Sequence, residues 1–317
     1  MKEIGGYIGL EQNYLPMLHE SAKALNSGTA CFLYLLRARN IKKIALPFFL
    51  CDCIKDICSV EGVDLRQYKI KHDFLPDDDV ELDSGEWIYI VNFFGQLTED
   101  RLTGLALKYG NVIVDQAQAY FDKPISGVDT IYTCRKFLGV PDGAFLYSDA
   151  KLDEELMIDE SFERMHFLLG RYERTAAEFY SEYCANNFLL KNEPIKRMSK
   201  LTDNLLHGID YERVKEIRTR NYGYLYEYFR EVNQLHVQKI QGAFAYPLLL
   251  RNGASIRKQL LKSKIYIPIL WPNVLYDVEK ESLEYNYAEN ILPLPVDQRY
   301  NLEDMQLIID VISKYIF

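Results

Sequence analysis

Three short stretches hold residues whose types and order could do chemistry. The first is Asn26–Ala30, NSGTA, set directly before an apolar run. Gly28 lets backbone come close to a ligand, Thr29 brings a hydroxyl, and free N–H groups at a helix start attract an anion. A plain helix cap has the same pattern. The second is Asn111–Ala119, NVIVDQAQA, in which an apolar strand delivers a carboxylate, Asp115, at its C-terminal end. Ligands of open α/β sheets bind at that end, and a carboxylate there can hold a positive ring nitrogen or cap a helix. The third is Thr130–Ala144, TIYTCRKFLGVPDGA, with Lys136 between a strand and a glycine-containing turn. A lysine beside an apolar strand end sheds its proton more easily and can attack an aldehyde. A surface lysine at a turn is the alternative.

These stretches need a frame to bring them together. Residues 1–150 alternate short apolar runs with helical patterns. Helices are predicted over 27–40, 51–61 and 99–109, and strands over 43–47, 64–70, 86–93, 111–115, 129–134 and 144–147. Runs such as VIVD and WIYIVNF are apolar throughout, as in strands covered on both faces. Strand–helix alternation implies an α/β fold with a mostly parallel sheet flanked by helices. From 152 to 190 the pattern is helical and rich in charge. A long helix at 211–232, strands at 244–250 and 266–270, a helix at 255–263 and a last helix at 302–316 make a small α+β lobe. The expected division is a large α/β domain over 1–190 and a small C-terminal domain over 191–317.

Composition excludes several classes. A net charge of -9 argues against a nucleic-acid partner, which would need a basic face. No apolar run approaches the ~20 residues that span a bilayer, and MKEIGGYIGLEQNY has no signal-peptide core. The expected location is the cytoplasm. The six cysteines, Cys31, Cys51, Cys53, Cys58, Cys134 and Cys184, do not read as a disulfide framework in a chain of 317 residues. Cys51, Cys53 and Cys58 lack the second paired half of a zinc site, so ordinary thiols and no metal are expected. Asp77–Asp79 reads as a solvated loop. Arg164, Arg171 and Arg174 could meet anionic groups but read as a solvated helix face.

The order of turn, strand-end carboxylate and lysine resembles the DegT/DnrJ/EryC1/StrS family of sugar aminotransferases, members of the aspartate-aminotransferase fold, fold type I. VNFFG at 91–95 and ILPLPVDQRYNLEDM at 291–305 extend the resemblance over nearly the whole chain. It implies pyridoxal 5'-phosphate (PLP) as cofactor, with Ser27, Gly28, Thr29 and Ala30 around its phosphate and Asp115 on its pyridine nitrogen. Gln118 would lie near its ring and Lys136 would carry it. Thr133 is the nearest hydroxyl that could reach the phosphate. Asn187 stands where the family presents an asparagine to a neighbouring subunit's phosphate. Two departures stand out: Cys51 falls where the family stacks an aromatic ring on the cofactor, and Asn92 where it often has histidine.

The resemblance implies transfer of an amino group, from glutamate, to a nucleotide-linked keto-sugar in polysaccharide biosynthesis. A homodimer is expected, and the abundant tyrosine and phenylalanine (24 and 16) agree with an interface core. Sugar dehydration is a rival, opposed by Lys136, because dehydrating members carry histidine there. A non-catalytic ligand-binding protein of the same fold is a second rival, opposed by Asp115 and Lys136 occurring together.

Overall fold

The structure, a computed structural model, describes residues 4–316. Its centre is a seven-stranded sheet: β1 Lys23–Leu25, β2 Lys43–Pro47, β3 Asp64–Tyr68, β4 Trp87–Val91, β5 Val112–Asp115, β6 Asp129–Thr133 and β7 Ala144–Tyr147, in the order β1-β7-β6-β5-β4-β2-β3. Strands β3, β2, β4, β5 and β6 are mutually parallel. β7 runs antiparallel to β6 and to β1. Apolar strands explain the layering. Ile88, Ile90, Ile113 and Val114 are at most 1 % exposed, and each such side chain stabilises the fold by about 1.5–3 kcal/mol when fully buried.

Helices α1 Gly28–Ala38, α2 Asp52–Val60 and α3 Glu99–Tyr109 connect these strands. Ser27 and Thr98 cap α1 and α3 through their side chains, and Gly110 (φ 75°) ends α3 in a conformation that glycine adopts without strain. The order of strands reverses between β2 and β4, so the loops after them flank a crevice at the carboxyl edge of the sheet.

Beyond β7 lie α4 His166–Glu173, α5 Tyr180–Asn192, α6 Lys200–Leu206 and α7 Tyr211–Phe229. A second, antiparallel sheet pairs β8 Ala245–Leu249 with β9 Ile291–Pro295. It packs with α7, α8 Gly253–Lys262 and α11 Leu302–Ser313 around a second core that includes Leu225, Leu248 and Ile312. The short helices α9 Val274–Asp277 and α10 Leu283–Asn290 lean on the first core through Val274 and Tyr287.

The frame matches expectation closely from 27 to 147 and departs from it elsewhere; α6, α9 and α10 were unassigned in the sequence. Residues 152–165 are not an α-helix. Asp159 N–H donates to the Arg197 carbonyl and Arg197 N–H to that of Met157 (2.9 and 2.8 Å), so extended pairing satisfies the backbone that a helix would otherwise satisfy. Residues 266–270 form no strand. β1 and β9, both unassigned in the sequence, edge one sheet and complete the other. Among the described residues no helix is long and apolar enough to cross a membrane.

Candidate active site

Four strand ends meet at one edge. β1 and β6 both run toward it, placing Leu25 and Thr133 beside each other across Ala144 of β7. Asp115 ends β5, and Val91 ends β4 beside it. The three stretches singled out in the sequence are therefore brought together by sheet topology alone.

The carboxylate is fixed from two sides. Tyr89 O–H donates to Asp115 Oδ2 at 2.9 Å and the Ala117 N–H donates to Oδ1 at 2.7 Å. Tyr89 is 2 % exposed, and burial, with the Asp115 charge beside it, pushes its phenol well above the ordinary range. It stays a neutral donor. Tyr89 was missed in the sequence reading. Its signal is a phenol inside an otherwise apolar buried strand, which must find a partner for its O–H.

Lys136 stands on the turn after β6, solvent-accessible yet walled by protein. Desolvation lowers its ammonium below the ordinary lysine value, Asp115 opposes that shift and Arg135 adds to it. Its Nζ lies 5.9 Å from the centre of the Phe244 ring, just before β8 of the second lobe. The turn that carries Lys136 is pinned from beneath. Asp142, wholly buried, accepts from Ser199 N–H (2.9 Å), Ser199 Oγ (2.7 Å) and Thr202 Oγ1. Gly143 (φ 110°) donates its N–H to the Asn26 carbonyl at 2.7 Å. A Cβ at Gly143 would come 3.0 Å from Thr202 and 3.2 Å from Cys134 and Met198, so glycine is required twice over.

A second clamp reaches in from the other lobe. Arg218, 1 % exposed, donates to the carbonyls of Phe137 and Ala243 and to Gln298 Oε1, each at 2.9 Å. Gln298 Nε2 donates to the same Phe137 carbonyl at 2.8 Å. Desolvation lowers the Arg218 guanidinium to about 10.

The N-terminal turn of α1 forms an open cup. Ser27 Oγ accepts from Ala30 N–H (3.0 Å) and pairs with Thr29 Oγ1 (2.8 Å), whose hydroxyl also reaches the Leu190 carbonyl (3.2 Å). The Ala30 N–H is therefore engaged within the turn. The Gly28 and Thr29 N–H groups have no acceptor among the described residues. A Cβ at Gly28 would stand 3.4 Å from the Thr133 methyl and fill the space above them. This cradle, with free N–H groups at one end and a fixed carboxylate and a desolvated lysine at the other, fits PLP: an anionic group, a basic ring nitrogen and an aldehyde.

Other expected residues differ. Gln118 is buried, and its Oε1 holds the Phe94 N–H at 2.7 Å, bracing a turn in which Phe94 has φ 55°. Cys51 caps α2 and is joined to Cys53 in a disulfide, so these two are not the thiols the sequence suggested. Phe49, Phe93 and Trp271 cluster behind it. Asn187, expected to face a neighbouring subunit's phosphate, also has a partner within the chain. Its Oδ1 accepts from Arg135 of the same chain. Arg164 is tied to Asp159 at 2.6 Å rather than solvated. A cavity of ≈ 400 Å³ between Gln96, Arg101, Tyr226 and Arg230 includes neither Lys136 nor Asp115.

No protein-family model matches the chain, and no curated protein matches it in sequence. Solved structures do. A DegT DnrJ EryC1 StrS aminotransferase from Brucella abortus superposes with a TM-score of 0.61 at 16% identity, over 93% of this chain and 86% of that one. NtdA from Bacillus subtilis with bound cofactor PMP gives 0.64 at 14% identity, over 92% and 73%. DesI in the presence of its TDP-sugar product gives 0.65 at 12% identity, over 92% and 80%. The fold is that of the PLP-dependent aminotransferases of fold type I.

Proposed function

We propose that this chain is a PLP-dependent aminotransferase that transfers an amino group, from glutamate, to a keto-sugar carried on a nucleotide. One observation carries the reading: Lys136, the fixed Asp115 and the free N–H groups of Gly28 and Thr29 converge on one sheet edge. Three solved relatives in fold support it, one of them an aminotransferase by description, one holding PMP and one a TDP-sugar.

Bound there, PLP would supply an electron sink for the carbon that gives or takes the amino group. The protein's part is binding, fixing and proton movement. Lys136 would carry the cofactor and, once displaced by the amino donor, act as base and acid at the donor carbon. Its lowered pKa leaves more neutral amine at neutral pH than an ordinary lysine has. Asp115 would keep a proton on the ring nitrogen. Tyr89 and the Ala117 N–H hold that carboxylate still, so little reorganisation is needed as charge develops. Gly28, Thr29 and the Thr133 hydroxyl would hold the phosphate.

The reading includes a homodimer burying at least ~2,000 Å². Its support is apolar surface along 4–18 and on α4 and α5: Ile8, Leu10, Tyr172 and Phe188 are 90, 78, 93 and 72 % exposed.

The test is to add PLP to the purified chain, reduce with borohydride, and map the adduct by peptide mass. The expected site is Lys136. On PLP-loaded protein that has not been reduced, glutamate alone should yield a stoichiometric amount of 2-oxoglutarate, and continued release only when a nucleotide keto-sugar is present to complete the cycle. An adduct on another lysine, or no release of 2-oxoglutarate, rejects the reading.

A further inference from the structure

Arg135 immediately precedes Lys136 and has no part in the chemistry so far. Its hydrogen bond to the Asn187 side-chain oxygen is a bond to a neutral amide, which neutralises no charge. Arg135 pairs with no carboxylate among the described residues. Desolvation lowers its guanidinium; Tyr183 and the more distant Asp142 charge oppose that shift, and Arg164 adds to it. A desolvated cation without a counter-ion is costly to the fold.

Its position says what anion it awaits. Asn187 lies three residues before Leu190 on α5, and the Leu190 carbonyl accepts the Thr29 hydroxyl. Residues three apart share a helix face, with a rise of about 4.5 Å between them. The Arg135 guanidinium and the Thr29 hydroxyl thus meet the same face of α5, one turn apart. Thr29 belongs to the cup whose N–H groups are free. On the strand side, Thr133 lies two residues before Arg135 and against Gly28.

Charge balance points the same way. A phosphate monoester carries about -1.5 to -2 at neutral pH, whereas a helix N-terminus offers only about +0.5. The cup alone leaves most of that charge unmet, and one guanidinium cancels the greater part of the remainder. We propose that Arg135 is the counter-charge for the cofactor's phosphate, giving up its Asn187 contact to make that ion pair. This rests on the PLP reading above.

The test compares PLP with pyridoxal, which lacks the phosphate, on wild type, Arg135→Gln and Arg135→Lys. Affinity is read from quenching of protein fluorescence, and unfolding temperature is taken without cofactor. Arg135→Gln should bind PLP about 10- to 100-fold more weakly, the range for a charged hydrogen bond, and pyridoxal as tightly as wild type. Arg135→Lys should recover part of the loss. Without cofactor, Arg135→Gln should melt no lower than wild type, because a half-buried charge without an ion-pair partner has been removed. A purely structural arginine would instead lower that temperature and weaken both ligands alike, which would overturn the proposal. So would unchanged PLP affinity in Arg135→Gln when wild type binds PLP well. If wild type binds neither compound, the PLP reading falls and this proposal with it.

Discussion

The carboxyl edge of the main sheet and the outlying segments of the chain are built on opposite terms. Around Asp115, polar side chains find partners inside the chain: Tyr68 on the Tyr89 carbonyl, Tyr89 on Asp115, Asn92 on Gln116 and Gln118 on the Phe94 N–H. Along residues 4–18 most of the side chains that face out are apolar, with Ile4 and Tyr7 95 and 97 % exposed. That arm is tacked down by polar contacts instead, Asn13 to Asn204 and His19 to Tyr120 and Tyr147. Contacts within one chain therefore hold Asp115 and its neighbours in place. The outer segments carry apolar surface that only a further surface can cover, as in the proposed dimer.

The largest effect is expected at the centre of the organised region. Lys136→Ala should abolish turnover and the borohydride-trapped adduct while leaving circular dichroism unchanged. Residual trapped cofactor at another lysine would show that the edge is less exclusive than its geometry. Asp115→Asn comes next, keeping PLP binding through the phosphate cup and lysine but losing about 10²–10⁴-fold in turnover. Near-normal turnover there would remove Asp115 from its part.

The third prediction concerns the point where arm and sheet join. His19 is 3 % exposed, and desolvation lowers its imidazole from 6.5 to about 4, partly offset by the bond to the Tyr120 carbonyl. Between those values the unfolded chain takes up the proton and the folded chain does not. Stability should hold above pH 6.5, fall as pH drops from 6.5 toward 4, and lose about 3 kcal/mol from this group by pH 4. Denaturant melts across that range would measure it, and His19→Gln should flatten the slope. The smallest effect should come from the arm itself. Ile8→Ser should change the stability of the isolated chain by no more than about 0.5 kcal/mol, yet weaken self-association in sedimentation. A large loss of stability without any change in association would contradict the contrast between the regions.

The organised region was also the legible one. VIVD and WIYIV are apolar beyond the need of any surface strand, and Ser27 and Thr98 announce helix starts, so the positions of Asp115 and Lys136 followed from local pattern. Partners distant in sequence left little trace. Residues 152–165 have helical periodicity, but their backbone pairs with residue 197, a contact no local pattern encodes. β1 is three residues long, too short to show alternation. Asn187 was read by its distance from Lys136; its contact with Arg135 within the chain has no period or spacing to flag it. Cys51 and Cys53 are adjacent enough to pair, and chain length is no guide to a bridge that spans only one intervening residue.

The grip of Arg218 and Gln298 on Phe137 has a mechanical meaning. A carbonyl has two lone pairs, and those of Phe137 are both engaged from the second lobe, one residue beyond Lys136. Hinging the second lobe away from the sheet at this joint would strip both bonds at about 1–3 kcal/mol for each group left dry. The joint is therefore stiff where Lys136 is mounted. Any motion that admits or releases a bulky substrate must either bend elsewhere or carry Lys136 along with the lobe.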